Sequence, residues 1–209
     1  MEKQKKLTVS EQKRQQIIRA ATHLVSKFGY AKTTLDDIAR LLNMKKTSLY
    51  YYYQSKEEIL EEVVRSEAQN YLQAIKANLS QKKATYSKIQ EYIRTKIRYL
   101  KEAIHLYDLS TKAFLEISAS IHSIIEDIHA EETAILANII KEGIKKKELV
   151  SCNAQKIAES IVTISEAVKY KELYTAKHLY MNDMDFEKIE NDINYILGLL
   201  FKGLKPVEC

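Results

Sequence analysis

Three features of the sequence predict an all-α fold. Four glycines and one proline in 209 residues supply too few turns for a many-stranded sheet. Long stretches rich in Leu, Ile, Ala, Glu and Lys repeat their apolar residues every three to four positions, the period of an amphipathic helix. Ser, Thr, Asn or Asp stands before several of these runs, where a side-chain oxygen can cap the free amides of a first turn.

Ser10 is read as the cap of a first helix whose apolar positions Ile17, Ala21, Leu24 and Phe28 recur at intervals of four, three and four. Gly29 ends it, because glycine enters a left-handed cap without a side-chain penalty. Thr34 caps "LDDIARLL", with Asp36 and Asp37 beside the positive end of the helix and Leu35, Ile38, Ala39 and Leu42 on the buried side. "NMKK" reads as a turn, followed by a second short helix over 46–53. Helices this short are marginal alone, so they need the first as a third wall. Residues 10–53 thus form a three-helix unit ending in a helix-turn-helix. Ser55 and Glu58 have capping-box spacing and open a longer helix through Ile59, Leu60, Val63 and Val64 toward Leu79. Further helices are predicted over 84–106, 108–118, 120–148, 154–180 and 186–204, with Asn153 and Asp185 as caps. The expected division is an N-terminal domain over 1–54 and a helical body over 55–209.

Charge separates the same two parts. Residues 1–65 carry 13 Lys and Arg against 8 Asp and Glu, while the remainder carries 20 of each. The whole excess of +5 therefore sits on the N-terminal third, which suits a surface facing a polyanion. Cys152 and Cys209 have neither metal-ligand spacing nor the numbers for a disulfide framework. The start "MEKQKK" runs into polar "TVSEQKRQQ" rather than an apolar segment, unlike a secretory signal. No stretch approaches about eighteen uncharged apolar residues, and a cytoplasmic location is expected.

"KKTSLYYYYQSKEE", residues 45–58, places four tyrosines on a helix too short to bury them all. Leu49 and Tyr53 share a face and complete the small core with Met44, but Tyr50, Tyr51 and Tyr52 cannot all follow. Lys45, Lys46, Thr47 and Ser48 crowd the leading end of the helix, the end that enters the major groove in this motif. Lys45 and Thr47 are the candidates for base edges; Lys46 and Tyr51 can reach either bases or backbone. Thr33, Thr34, Ser48, Tyr50, Tyr52 and Lys56 suit phosphate contacts, which position the protein without reading sequence. Double-stranded DNA is favoured over RNA, whose narrow major groove does not admit a helix. The alternative is a helical protein-interaction module with a basic end that binds nucleic acid non-specifically. Steep salt dependence together with preference for one operator separates the two.

Residues 28–60, "FGYAKTTLDDIARLLNMKKTSLYYYYQSKEEIL", resemble the N-terminal domain of the TetR family of bacterial transcriptional regulators. The resemblance rests on Phe28-Gly29-Tyr30, Thr33-Thr34, Asp37-Ile38-Ala39, Leu49-Tyr50 and Ser55-Lys56-Glu57-Glu58, in family order and spacing. It implies a homodimer on a palindromic operator, usually as a repressor, with groove contacts from residues 45–52 and backbone contacts from Thr34, Tyr50, Tyr51 and Lys56. It further implies a C-terminal body that binds a small effector and alters the spacing of the DNA-binding units through the helix after Ser55. Asn43, Lys45, Thr47 and Tyr53 depart from the glycine, serine, glycine and phenylalanine common in the family. Lys45 and Thr47 bear on operator identity, and Tyr53 calls for a partner to its hydroxyl.

In the body, Tyr107, Phe114 and Tyr170 are the candidates for an effector pocket. A wide apolar stripe on each of the last two helices suggests a four-helix dimer interface, with an ordinary bundle inside the chain as the alternative: Ile157, Ile161, Ile164 and Val168 on one, Ile193, Ile196, Leu197, Leu200 and Phe201 on the other. His122, Glu126 and His129 have ligand-like spacing, but a histidine-bearing helix surface is the better account, so no metal or cofactor is expected. A phosphate loop, a nucleophile elbow and a motif-poised cysteine are all absent from the sequence, and no enzymatic activity is expected.

Overall fold

The computed structural model describes residues 8–107, 121–175 and 183–206. Thr8, rather than Ser10, opens α1 (Val9–Phe28): its Oγ1 accepts the Glu11 amide at 3.2 Å, and Glu11 returns a carboxylate oxygen to the Thr8 amide at 2.7 Å. That reciprocal pair satisfies two otherwise orphaned donors. Ile17, Ala20, Ala21, Leu24 and Val25 are the buried side of α1, whereas Phe28, expected to be buried, is half exposed beneath Lys27. Gly29 stops the helix at φ 80°, ψ 156°, an extended positive-φ conformation essentially reserved for glycine.

Thr34 caps α2 (Leu35–Leu41) through the Asp37 amide, with Asp37 returning a bond to the Thr34 amide. Asn43 makes the following turn at φ 51°; Asn is among the few non-glycine residues that tolerate this region. α3 is short (Lys46–Tyr50), ending before the predicted Tyr53. α4 (Lys56–Ser80) starts on Ser55, whose Oγ accepts the Glu58 amide at 3.1 Å. The expected box is only half formed, because Glu58 accepts from the Gln54 amide at 2.6 Å.

Ile17, Leu24, Ile38, Leu49 and Tyr53 meet Ile59 and Val63 in a first hydrophobic core. The same helix α4 sends Tyr71, Ile75 and Leu79 into a second, larger core built with α5 (Thr85–Tyr107), α6 (His122–Lys145), α7 (Ala154–Thr175) and α8 (Phe186–Leu204). Asn153 and Asp185 accept the Lys156 and Lys188 amides at 3.0 and 2.9 Å, as capping residues do. The helix predicted over 108–118 lies outside the described residues. No helix among the described residues is long and apolar enough to cross a membrane.

α7 and α8 correct the interface expectation. Ile161, Ile193, Leu197 and Phe201 are all buried in the chain's own core, because α8 turns the 189–193–197–201 line toward α5 and α7. Ile157, Ile164, Val168 and Leu200 are partly covered, and Ile196 stays 38% exposed beside Tyr195 and Leu199. The outward apolar face is therefore the opposite side of α8 from the one that fills the core.

Candidate nucleic-acid interface and effector pocket

α3 is held from behind. Leu49 and Tyr53 are buried in the core they share with α1, α2 and α4, and Met44 and Tyr52 pack on the same core. Lys45, Lys46, Thr47, Ser48, Tyr50 and Tyr51 are exposed, Tyr51 by 81%. Its ring meets Tyr52 edge-on at 5.2 Å, an aromatic pair at the trailing end of the helix, where Tyr51 is the C-cap. Lys45 occupies the N-cap without a side-chain cap bond, so the first amides of α3 lack an intrahelical acceptor.

The predicted contact residues divide by what they already touch. Lys46 donates to Asp36 on α2 at 2.8 Å, and that hydrogen bond holds its ammonium above the usual lysine range. The Thr34 hydroxyl gives its proton to Asp37 at 2.6 Å, which draws the Asp37 carboxyl below the usual carboxylate range. Thr33 is a correction to the expected phosphate contacts: it is 2% exposed, and its hydroxyl donates to the Gly29 carbonyl at 2.9 Å, tying off the turn between α1 and α2. Lys56 lies 4.0 Å above the Tyr30 ring and donates to the Tyr30 carbonyl at 3.0 Å. Tyr53 is buried with its hydroxyl unpartnered among the described residues, and burial raises its phenol above the usual range. The Arg14 guanidinium stands 4.9 Å from its ring centre.

A cavity of about 270 Å³ lies between α4, α5, α6 and α7 and reaches Val25 and Tyr30 of the first unit. Tyr170, expected in an effector pocket, is among the residues that line it; the side chain of Tyr107 and all of Phe114 lie outside the described residues. Most of the wall is apolar, but one part carries a charged network. Lys96 donates to both oxygens of Glu132, at 3.0 and 2.8 Å, and lies 3.1 Å from Glu166. Tyr71 also donates to Glu132, which is wholly buried. Glu166 pairs in addition with Lys169 and, at 3.4 Å, with Nε2 of His129. Burial opposes the charge on Glu166, yet the His129 hydrogen bond and the Lys96 and Lys169 ammoniums hold its carboxyl well below the usual range. His122 pairs with Glu126 at 3.3 Å in solvent while His129 faces Glu166, so the ligand-like trio does not converge. No metal-holding group of His, Cys, Asp or Glu occurs among the described residues.

This network was not foreseen, although the sequence carries a signal for it. Lys96, Glu132 and Glu166 each stand between apolar or aromatic residues four positions before and after: Tyr92 and Leu100, Ile128 and Leu136, Val162 and Tyr170. A charge on the apolar line of a helix needs a buried partner. Tyr30 was noted only as part of a motif, yet it lines the cavity, holds Lys56 and donates to Glu57 at 3.3 Å.

The sequence profile of bacterial regulatory proteins of the TetR family matches residues 17–63, which span the last three turns of α1 through the start of α4. The biofilm operon icaADBC HTH-type negative transcriptional regulator IcaR of Staphylococcus aureus (strain Newman) is 34% identical over 130 residues, 61% of this chain and 69% of that protein. The HTH-type transcriptional regulator RutR of Escherichia coli O157:H7 is 32% identical over 139 residues, 63% of each chain. A transcriptional regulator from Cytophaga hutchinsonii shares the fold, with a TM-score of 0.79 at 24% identity over 93% of this chain and 99% of that one. The chain belongs to the TetR family of transcriptional regulators. Members of the family generally bind DNA as dimers through this helix-turn-helix.

Proposed function

We propose that the protein is a ligand-responsive repressor that binds a palindromic DNA operator as a homodimer. The observation that carries this reading is the one-sided anchoring of α3: Leu49 and Tyr53 fix it from beneath, and its leading side chains face solvent. Lys45, Lys46, Thr47 and Tyr51 are assigned to base edges, and Thr34, Ser48, Tyr50, Tyr52 and Lys56 to phosphates. The negative regulation in the name of the staphylococcal relative supports repression rather than activation. Two copies would meet through the outward face of α7 and α8, where Ile164, Val168, Ile196 and Leu200 adjoin exposed Tyr195 and Leu199.

The effector would act through Tyr30. Its ring is both cavity wall and seat for Lys56, and its hydroxyl reaches Glu57. A ligand that displaces Tyr30 shifts the first turn of α4, and α4 contributes Ile59 and Val63 to the core that carries α3. Such a shift alters operator binding only if the two states differ in their affinity for the ligand.

Selection of bound duplexes from a random library tests the central reading. The expected product is a palindrome with half-sites about one helical turn, or a multiple of it, apart. Recovery of unrelated sequences, with affinity governed by salt alone, would overturn it in favour of non-specific binding.

A further inference from the structure

The hydrogen-bonding capacity of the charged network is spent unevenly. Glu132 accepts three bonds, from Tyr71 and Lys96, and Glu166 meets Lys96, Lys169 and His129. Both carboxylates are thus engaged by cations or strong donors. Lys169 carries three N–H donors, and the described residues occupy it only through Glu166 and the face of Tyr170, 4.7 Å from the ring centre. The Tyr170 hydroxyl has no hydrogen-bond partner among the described residues. Within the network three basic side chains, Lys96, Lys169 and His129, face two acidic ones. Glu67, a third carboxylate in the cavity wall, accepts the Tyr99 hydroxyl at 3.3 Å and stands outside these bonds.

At Glu132 and Glu166 an incoming cation would compete with Lys96 and Lys169, which leaves it only Glu67, outside the network and held by the Tyr99 hydroxyl. An incoming anion instead finds unused donors beside an apolar enclosure, formed in part by Val64, Ile97, Leu100, Ile125 and Ile128. We propose that the cavity takes an amphipathic monocarboxylate, its anionic end on Lys169 and Tyr170 and its apolar body between α4, α5 and α6. This rests on the cavity being the effector pocket and adds the chemical class of the effector. The state of Lys169 agrees with it: burial lowers its pKa despite Glu166, and a second carboxylate would offset that desolvation.

The test is calorimetric titration of the full chain with octanoate, octan-1-ol and octyltrimethylammonium, which share one apolar body and differ in the head. Octanoate is expected to bind at least about tenfold tighter than the alcohol, the scale of one charge-assisted hydrogen bond. Lys169→Met should abolish the preference for octanoate over the alcohol, and Lys169→Arg should retain it. Tyr170→Phe, which keeps the ring, should lose a smaller part of it and guards against a misfolded Lys169 variant. Equal or tighter binding of the alcohol or the ammonium ion overturns the ligand class, as does failure of all three to bind. Release of operator DNA is read in parallel. Tight octanoate binding without release leaves the class standing and overturns the coupling through Tyr30; release by the alcohol alone does the reverse.

Discussion

Lys45 and Thr47 present side chains that no hydrogen bond or ion pair of the described residues engages, while Lys46 one position away is tied to Asp36. Their freedom suits base reading, since their contacts to base edges break no bond inside the protein, whereas Lys46 would have to leave Asp36 first. Replacing Lys45 or Thr47 with Ala is expected to change the preference at one operator position by about 1–3 kcal/mol. Lys56→Gln should instead weaken all duplexes alike and lower the slope of log affinity against log salt by about one. Binding isotherms for a set of single-base operator variants, repeated over a range of salt, check both. Uniform loss without altered preference at Lys45 and Thr47 would refute the division of roles.

Helix ends fix how the elements meet, and the end of α6 does so twice. Lys147 adopts φ 60°, with its amide on the Ile144 carbonyl at 3.0 Å and the Glu148 amide on the Gly143 carbonyl at 2.9 Å, a Schellman closure with lysine where glycine is usual. The chain then delivers the Glu148 carboxylate to the Thr85 amide at 2.7 Å, capping the start of α5 from another helix. Thr85 can sit there because Gly143 has no side chain: a Cβ would stand 2.5 Å from Thr85 Oγ1 and 2.8 Å from its Cγ2. Alanine is the better helix former by about 1 kcal/mol, but Thr85 is buried and stiff at its β-carbon. Gly143→Ala should therefore destabilise the protein by about 1–3 kcal/mol, seen as a lower denaturation midpoint. The folded fraction should keep its DNA affinity, because α1 to α3 are untouched.

At the scale of the molecule, α8 has two apolar sides with different duties. Ile189, Ile193, Leu197 and Phe201 close the chain's own core, and Tyr195, Ile196 and Leu199 remain outside it. Leu199 is 52% exposed in the single chain, so Leu199→Glu should leave the fold intact and place a charge in the proposed dimer face. The expected result is a shift toward monomer in sedimentation equilibrium with loss of operator affinity, since two half-sites are no longer held by one assembly. An unchanged dimer would remove this face from consideration.

The all-α class, the helix-turn-helix, the caps at Thr34, Asn153 and Asp185 and the exposed start of α3 were legible in the sequence, because each depends on residues within a few positions of one another. The same local logic misplaced the first cap: Ser10 and Thr8 are both good caps, and Glu11 selects Thr8 by its reach. Direction was beyond the sequence. An apolar stripe on α8 that exceeds one face has no internal mark of which side turns inward, so Ile193 and Leu197 were assigned to a partner although α5 and α7 cover them. The cavity likewise took tertiary structure to find, since Lys96, Glu132 and Glu166 come from three different helices and acquire common meaning only where those helices converge. Sequence determined the periodic and capping interactions that build each helix; packing alone decided which charges share a low-dielectric space and which apolar surface is left for another molecule.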